Sequence, residues 1–483
     1  MSKVNPYSLY TDFDQAWLGE LPSHWQVMRT KLLFDLVTEF APVGNSEELL
    51  SVYTAIGVKP RKELEARGNK ASSTDNYWRV QQGDIIVNKL LAWMGAIGIS
   101  EYNGVTSPAY DILRPKENVN PYYYNYLFRN PIANREFKRH SRGIMDMRLR
   151  LYFTRFGDIK LPLPPVEEQV KIVEYLQFKL KRIDRFIRKK KQLIKLLNEQ
   201  KAVIINSAVT KGLNSKAKMK HSGIEWLGHI PKHWGVKRLK YLLKTGQDGI
   251  KIGPFGSAIK SEIIRGKNKF AINEPKFKVY GQEHPIASDF SIGNKYIGQE
   301  DFNRLENYEI ISGDIVISMM GTIGRSKVVP VNIEKGIMDS HLIRIGVNNE
   351  IYSDYISALI NDSSSIMTNM LYESKGAIMN GLNSKIIKAL FIPLPPLNEQ
   401  KEIQLFIKDE TEKINITIST IEKEIALTQE YRTALIADAV TGKIDVSDFV
   451  IPEEKEAEIY EELEEELIIA AEDEVEYGIM EEN

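Results

Sequence analysis

Along two long stretches of this 483-residue chain, apolar residues return at alternating spacings of three and four. The first series is Leu176, Leu180, Ile183, Ile187, Ile194, Leu197, Ile204 and Ala208, broken by Lys190 and Lys201. The second is Ile407, Ile414, Ile418, Ile421, Ile425, Leu435 and Ala439, with Thr411, Thr428 and Arg432 as its weak points. A seam of period 3.5 predicts two long helices that pack as a coiled coil rather than standing as separate solvated helices. Their charges agree with pairing. Residues 178–220 carry 14 basic and two acidic side chains, whereas residues 409–443 carry four basic and seven acidic. Helices of opposite charge prefer each other to copies of themselves.

The same two stretches belong to an internal repeat. Ten of 18 positions are identical between Trp17–Phe34 and Trp226–Leu243, among them Trp17/Trp226, Pro22/Pro231, His24/His233 and Trp25/Trp234. A second block, Leu163-Pro164-Pro165-Val166-Glu167-Glu168-Gln169, returns as Leu394-Pro395-Pro396-Leu397-Asn398-Glu399-Gln400. The two offsets differ by 22 residues, so the segment between the blocks is longer in the second half. Each Pro-Pro block opens one of the long helices, with its acidic residues near the positive end of the helix dipole, a structural role that capping explains. Both helices close alike, on Ala208-Val209-Thr210-Lys211-Gly212 and Ala439-Val440-Thr441-Gly442-Lys443, the glycine acting as the stop. After the first helix the chain enters the Trp226/Trp234 segment. After the second, the equivalent segment is the one around Trp17 and Trp25, at the N-terminus. A circular, pseudo-two-fold arrangement with neighbouring termini follows.

Residues 27–160 and 236–391 are the two inserts of this frame. Many short β-type runs with interspersed helix predict mixed α/β domains there. Shared landmarks are few. Gly83-Asp84-Ile85-Ile86-Val87 matches Gly313-Asp314-Ile315-Val316-Ile317, a turn running into a buried strand, and Met94-Gly95 matches Met320-Gly321, a glycine-permitted bend. Positions that differ between shared landmarks are candidate base readers. Ser107-Pro108-Ala109-Tyr110 stands where the second insert has Asp339-Ser340-His341-Leu342, and Ser340 and His341 either bond a base edge or cap an interior strand. Basic residues gather near the end of the first insert, with Arg139, Arg142, Arg148, Arg150 and Arg155. The matching stretch of the second holds Lys375, Asn380 and Asn383. Arginine can bridge a guanine edge and asparagine an adenine edge, although most such residues touch phosphate. Lys89, Lys260, Arg265 and Lys267 are further cationic candidates, as is Lys251 in the glycine-rich run Thr245–Gly256, read as a loop either close to a DNA backbone or simply at the surface.

Charge sharpens this reading. The formal net charge is −1, yet residues 446–483 hold 16 acidic and one basic side chain and leave a strongly basic body, which attracts polyanions. With no cysteine, thiol chemistry and Cys-ligated zinc are excluded, and the seven histidines show no metal-ligand spacing. There is no dinucleotide fingerprint, Walker motif or His-Glu-x-x-His. The Asn/Asp-Pro-Pro-aromatic tetrapeptide of amino-methyltransferases is also missing. Neither a signal peptide nor a membrane span is legible, so a cytoplasmic protein is expected.

A tryptophan frame, a variable insert and a Leu-Pro-Pro-x-x-Glu-Gln helix, all occurring twice, resemble the type I restriction-modification specificity subunit over residues 8 to about 445. That resemblance implies two target-recognition domains, 27–160 and 236–391, each reading half of an asymmetric, bipartite site in double-stranded DNA. It implies an N-terminal frame segment (1–26), a central helical spacer and linker (161–235), a C-terminal helical spacer (392–445) and, outside the family pattern, an acidic tail (446–483). The antiparallel helices would act as a ruler between half-sites. The chain itself would be non-catalytic and cofactor-free. It would dock two adenine-methylating modification subunits and, through them, the restriction/translocase subunit; S-adenosylmethionine, ATP and Mg2+ belong to those partners. No membrane takes part. The acidic tail is expected to compete with DNA for the basic surfaces. A coiled-coil scaffold whose inserts bind protein is the alternative.

Overall fold

The computed structural model describes residues 6–63, 74–144, 148–363, 366, 370 and 382–452. Chain contacts divide it into two compact units, Met1–Lys189 with Glu424–Asn483, and Lys190–Lys423. Each is a mixture of helix and strand.

The first unit is built on an antiparallel sheet in the order Phe34–Val37, Tyr110–Pro115, Ile85–Asn88 and Ile97–Ile99. Ile85, Ile86 and Val87 are buried on both faces, which is why they read as a continuous apolar run rather than an alternating one. Beside the sheet lie the helices Pro121–Phe128 and Pro131–His140. Each has proline in its first turn and an asparagine cap, with Asn120 accepting from the Tyr122 amide at 3.0 Å and Asn130 from the Ile132 amide at 3.1 Å.

The second unit repeats the plan, with Ile250–Ile252, Leu342–Ile345, Ile315–Ser318 and Ser326–Val328 in the same antiparallel order. Its longer insert adds a three-stranded sheet of Tyr296–Gly298, Lys276–Tyr280 and Gly336–Met338, the last pair parallel. That sheet has its own core of Val279, Ile297, Phe302, Leu305 and Ile337. Strand Ile250–Ile252 also corrects the reading of the glycine-rich run. Its centre is an edge strand, because Gly249 and Gly253 let the backbone close to the Lys244 and Asp339 carbonyls, where an added Cβ would stand only 2.2 and 1.7 Å away.

The long helices run Val166–Lys211 and Leu397–Val440. Every seam residue named from the periodicity is buried or half-buried. Within the first unit Arg432 Nε meets Asp184 Oδ1 at 3.0 Å; within the second, Lys201 Nζ meets Asn415 Oδ1 at 3.1 Å. Both helices stop on a left-handed glycine, Gly212 (φ +74°) and Gly442 (φ +69°). At Gly442 a side chain is also excluded by contact, since a Cβ would lie 2.4 Å from Pro22 Cδ. Tyr10 donates its hydroxyl to the Gly442 carbonyl at 2.9 Å, so the N-terminal segment completes the end of the second helix.

The acidic tail begins later than its charge suggests. Val446 is buried and Phe449 packs edge-on against Tyr175 at 5.0 Å, which makes this stretch part of the first unit's core. The strongly acidic residues from 453 onward lie outside the described residues.

Candidate nucleic-acid interface

The two repeated sequence blocks turn out to be halves of one contact. In the first unit Glu168 accepts from Trp25 Nε1 at 2.9 Å, meets His24 Nε2 at 2.8 Å and takes the Tyr7 hydroxyl. In the second, Glu399 accepts from Trp234 Nε1 at 3.0 Å and meets His233 Nε2 at 2.7 Å. The adjacent glutamine ties the insert to the helix start. Gln169 donates to the Pro164 and Asn118 carbonyls and accepts from the Asn120 amide at 2.8 Å. Gln400 does the same with Pro395, Glu350 and the Tyr352 amide at 2.9 Å. The helix opener is therefore structural, as expected, but capping is not its main work: its acid and amide satisfy buried donors from elsewhere in the chain. A tyrosine locks the far side of each insert. Tyr123 donates to the Val440 carbonyl at 2.7 Å, and Tyr355 to the Val209 carbonyl at 3.0 Å. Burial pushes both phenols far above their ordinary pKa, so they remain neutral donors.

Three segments meet at the same end of each sheet. The first follows the central strand (89–95 or 319–324), the second precedes its neighbour (107–109 or 339–341), and the third leads into the short helix before the Pro-Pro block. The Leu151 amide bonds to the Lys89 carbonyl at 2.8 Å in one unit, and the Leu382 amide to the Met319 carbonyl at 3.1 Å in the other. Gly95 (φ +88°) and Gly321 (φ +66°) make the predicted bends.

In the first unit this end is cationic. Arg142 and Arg150 pair backbone to backbone at 3.0 and 2.9 Å, closing a hairpin. Gly143 permits the closure, since a Cβ there would stand 2.4 Å from the Arg148 carbonyl oxygen. Arg142, Arg148 and Arg150 are exposed on this hairpin, and Arg155 is exposed on the helix Phe153–Phe156 that follows. Arg139 is exposed at the end of its helix, with one guanidinium nitrogen 2.6 Å from Glu136. Lys138 stands 4.8 Å over the Trp93 ring beside it. Lys89 is different: its ammonium is held by Asp111 at 3.1 Å and the Pro108 carbonyl at 3.0 Å. Burial pushes the Asp111 carboxyl above its usual range, against the pull of that lysine.

In the second unit Ser340 is half-buried and His341 exposed. The His341 amide donates to Asp339 Oδ1 at 2.8 Å, which fixes the loop, and the exposed imidazole lies 3.5 Å from Asp339 Oδ2 and 3.4 Å from Ser340 Oγ. Asp339 itself is pushed above the usual carboxylate range by burial. Lys251 is half-buried on the edge strand, 5.7 Å from the Tyr308 ring centre, and Lys260 is exposed beyond it. Arg265 and Lys267 belong instead to the added region. Arg265 bonds Glu274 at 2.7 Å and stacks on Phe270, and Lys267 pairs with Glu334 at 3.3 Å. Asn383 caps the helix Ser384–Ala389, its side-chain oxygen accepting from the Lys385 and Ile386 amides at 2.9 and 3.1 Å. Lys375 and Asn380 lie outside the described residues.

The sequence landmarks concealed one pairing. Buried Asp84 receives both Nε and a terminal nitrogen of Arg114 at 2.9 Å, and buried Asp314 receives Lys244 Nζ at 3.0 Å and faces Arg344 Nε at 3.5 Å. The matched Gly-Asp dipeptides were legible; their cationic partners, Arg114 and Arg344 on neighbouring strands and Lys244 outside them, carried no spacing signal.

Among the described residues no group of acidic or histidine side chains is arranged to hold a metal ion, and no helix is long and apolar enough to cross a membrane. A family model described as type I restriction modification DNA specificity domain matches residues 22–198 and again 259–427. A putative type I restriction enzyme MjaX specificity subunit of Methanocaldococcus jannaschii is 23% identical, over 90% of this chain and 97% of its own. The EcoKI specificity subunit of Escherichia coli K12 is also 23% identical, over 60% of this chain and 58% of its own. A solved chain from work on complex assembly and conformational transition of the type I R-M system superposes with a TM-score of 0.63. Its identity is 14%, over 88% of this chain and 99% of that one, a likeness of fold.

Proposed function

We propose, from the premise that this chain belongs to the type I restriction-modification DNA specificity family, that it reads an asymmetric bipartite sequence in double-stranded DNA, one half with each insert. The observation carrying this reading is the pair of matched sheets. Each presents matched segments at the same end, with exposed arginines in one unit and with Ser340 and His341 in the other. One scaffold with two contents is what two different half-sites require. The exposed arginines supply contacts to phosphate and to guanine edges.

The long helices then serve as the spacer. At about 1.5 Å per residue, some thirty helical residues span roughly 45 Å, on the scale of one turn between half-sites. The frame around the Glu168 and Glu399 clamps docks two adenine-methylating subunits, through which the restriction/translocase subunit joins. S-adenosylmethionine, ATP and Mg2+ act on those partners, and this chain contributes sequence choice without covalent chemistry. The test is single-molecule mapping of adenine methylation in cells carrying the modification partner, with and without this chain. A motif of two unlike halves should appear only with it. Methylation that is the same in both, together with no salt-sensitive DNA binding by the purified complex, would favour a protein-binding scaffold.

A further inference from the structure

A phenylalanine follows the edge strand in each unit, one position out of register with the other, and the two meet different fates. Phe40 is the third residue beyond the edge strand Phe34–Val37, and Phe255 is the third beyond the edge strand Ile250–Ile252. In the first unit Phe40 stacks on Trp78, ring centres 4.4 Å apart and planes 29° from parallel. In the second unit no ring among the described residues lies against Phe255, which is 87% exposed.

That exposure is imposed by the backbone around it. Gly253 donates its amide to the Leu342 carbonyl at 2.9 Å and is pressed so closely on Asp339 that no side chain fits. Pro254 is buried. Beyond the ring, the Ala258 amide returns to the Phe255 carbonyl at 2.8 Å. The loop root thus rests on the Asp339-Ser340-His341 segment, and the phenyl group is presented from a fixed turn beside it. Lys251 and Lys260 are the basic residues nearest it along the chain, one on either side. An aromatic ring on a rigid turn amid positive charge suits a stack of bases, because every base has a π-face and the lysines attract its phosphates.

We propose that Phe255 is a DNA contact of the second unit, its ring stacking on or wedging against a base step at the half-site faced by Ser340 and His341. In the first unit the position in register with Phe255 is the buried Ala41, and the neighbouring Phe40 is covered by Trp78, so only one half of the site is engaged in this way. An apolar wedge partly unstacks the step it enters and adds preference for flexible steps at positions the polar side chains never touch. This inference rests on the DNA-specificity reading above.

The test uses the full chain with its methyltransferase partner and a duplex carrying the motif found by methylation mapping. Phe255→Ala should weaken binding roughly tenfold or more, the scale of one lost base stack, and Phe255→Trp should restore it. 2-Aminopurine placed along the second half-site should brighten at one step with the wild-type complex and remain dark with Phe255→Ala. The half of the motif read by the first unit should not change. Wild-type affinity and an unchanged motif in Phe255→Ala would overturn the proposal while leaving the DNA reading intact. So would loss of the methyltransferase partner with DNA binding by the chain preserved, since the ring would then be a protein contact. A wild-type chain that directs no methylation motif would remove the DNA reading and this inference together.

Discussion

Replacing Glu168 by alanine removes the acceptor on which the first unit's frame converges. Trp25 is only 2% exposed, so its indole N–H is left buried without a partner, which costs about 1–3 kcal/mol. The Tyr7 hydroxyl loses the same acceptor, and burial together with Glu168 already keeps that phenol neutral. His24 is half solvent-exposed and adds little. The sum is about 3 kcal/mol for Glu168→Ala. Glu399→Ala strands one buried donor, Trp234, and should cost about 2 kcal/mol. Glutamine at either position keeps an oxygen for the indole and should cost about 1 kcal/mol. For units of this size each kcal/mol moves the midpoint by about 2–4 °C, so Glu168→Ala should melt about 6–12 °C early. Scanning calorimetry is the right assay, because a two-unit chain need not unfold in one step and the loss should fall on one transition. The reasoning fails if Glu168→Ala and Glu399→Ala melt within a degree of wild type, or if His24→Ala costs as much as Glu168→Ala.

Four further outcomes follow from the same geometry. Arg142→Ala and Arg148→Ala should each weaken DNA binding and lower the slope of log K against log salt by about one, measured by fluorescence anisotropy; unchanged slopes would remove the hairpin from the interface. Asp314→Ala leaves buried Arg344 with only the exposed Asp248 carboxylate, 4.0 Å away, and should destabilise the second unit by about 3 kcal/mol in urea titration. Burial raises the Asp314 pKa, so its acid form is favoured in the folded state. Its contribution to stability therefore falls as pH climbs from the ordinary carboxylate pKa to the raised one, and Asp314→Asn should flatten the profile in that window. Truncation after Pro452, which spares the packed Val446 and Phe449, should tighten nonspecific DNA binding at low salt if the acidic segment competes with DNA; equal affinity would refute the competition.

Several features of the molecule are legible in the amino-acid sequence itself. Helical periodicity is a local property, and Leu176 to Ile187 or Ile414 to Ile425 face one side whatever surrounds them. The glycine stops at 212 and 442 and the bends at 95 and 321 are equally legible, because a positive φ selects glycine locally. The duplication itself declares that one scaffold is used twice. Site residues are harder to read. Lys89, Arg265 and Lys267 share the composition of DNA-binding cations, yet each meets an acid on its own chain. Asn383 has an adenine reader's chemistry but a helix cap's geometry.

What the amino-acid sequence determined alone is therefore the periodic and the repeated: two helices, two inserts, one frame and a segregated charge. What only the tertiary structure decided is which distant groups meet. Trp25 finds Glu168 across 143 positions, Tyr10 finds Gly442 across 432, and Arg114 finds Asp84 on a neighbouring strand. Two phenylalanines that each follow an edge strand become different groups because Trp78 covers one and no ring among the described residues covers the other. The reason is physical. Propensity and periodicity act over a few residues, whereas hydrogen-bond satisfaction and burial act wherever the fold brings atoms together, and no spacing along the chain records that.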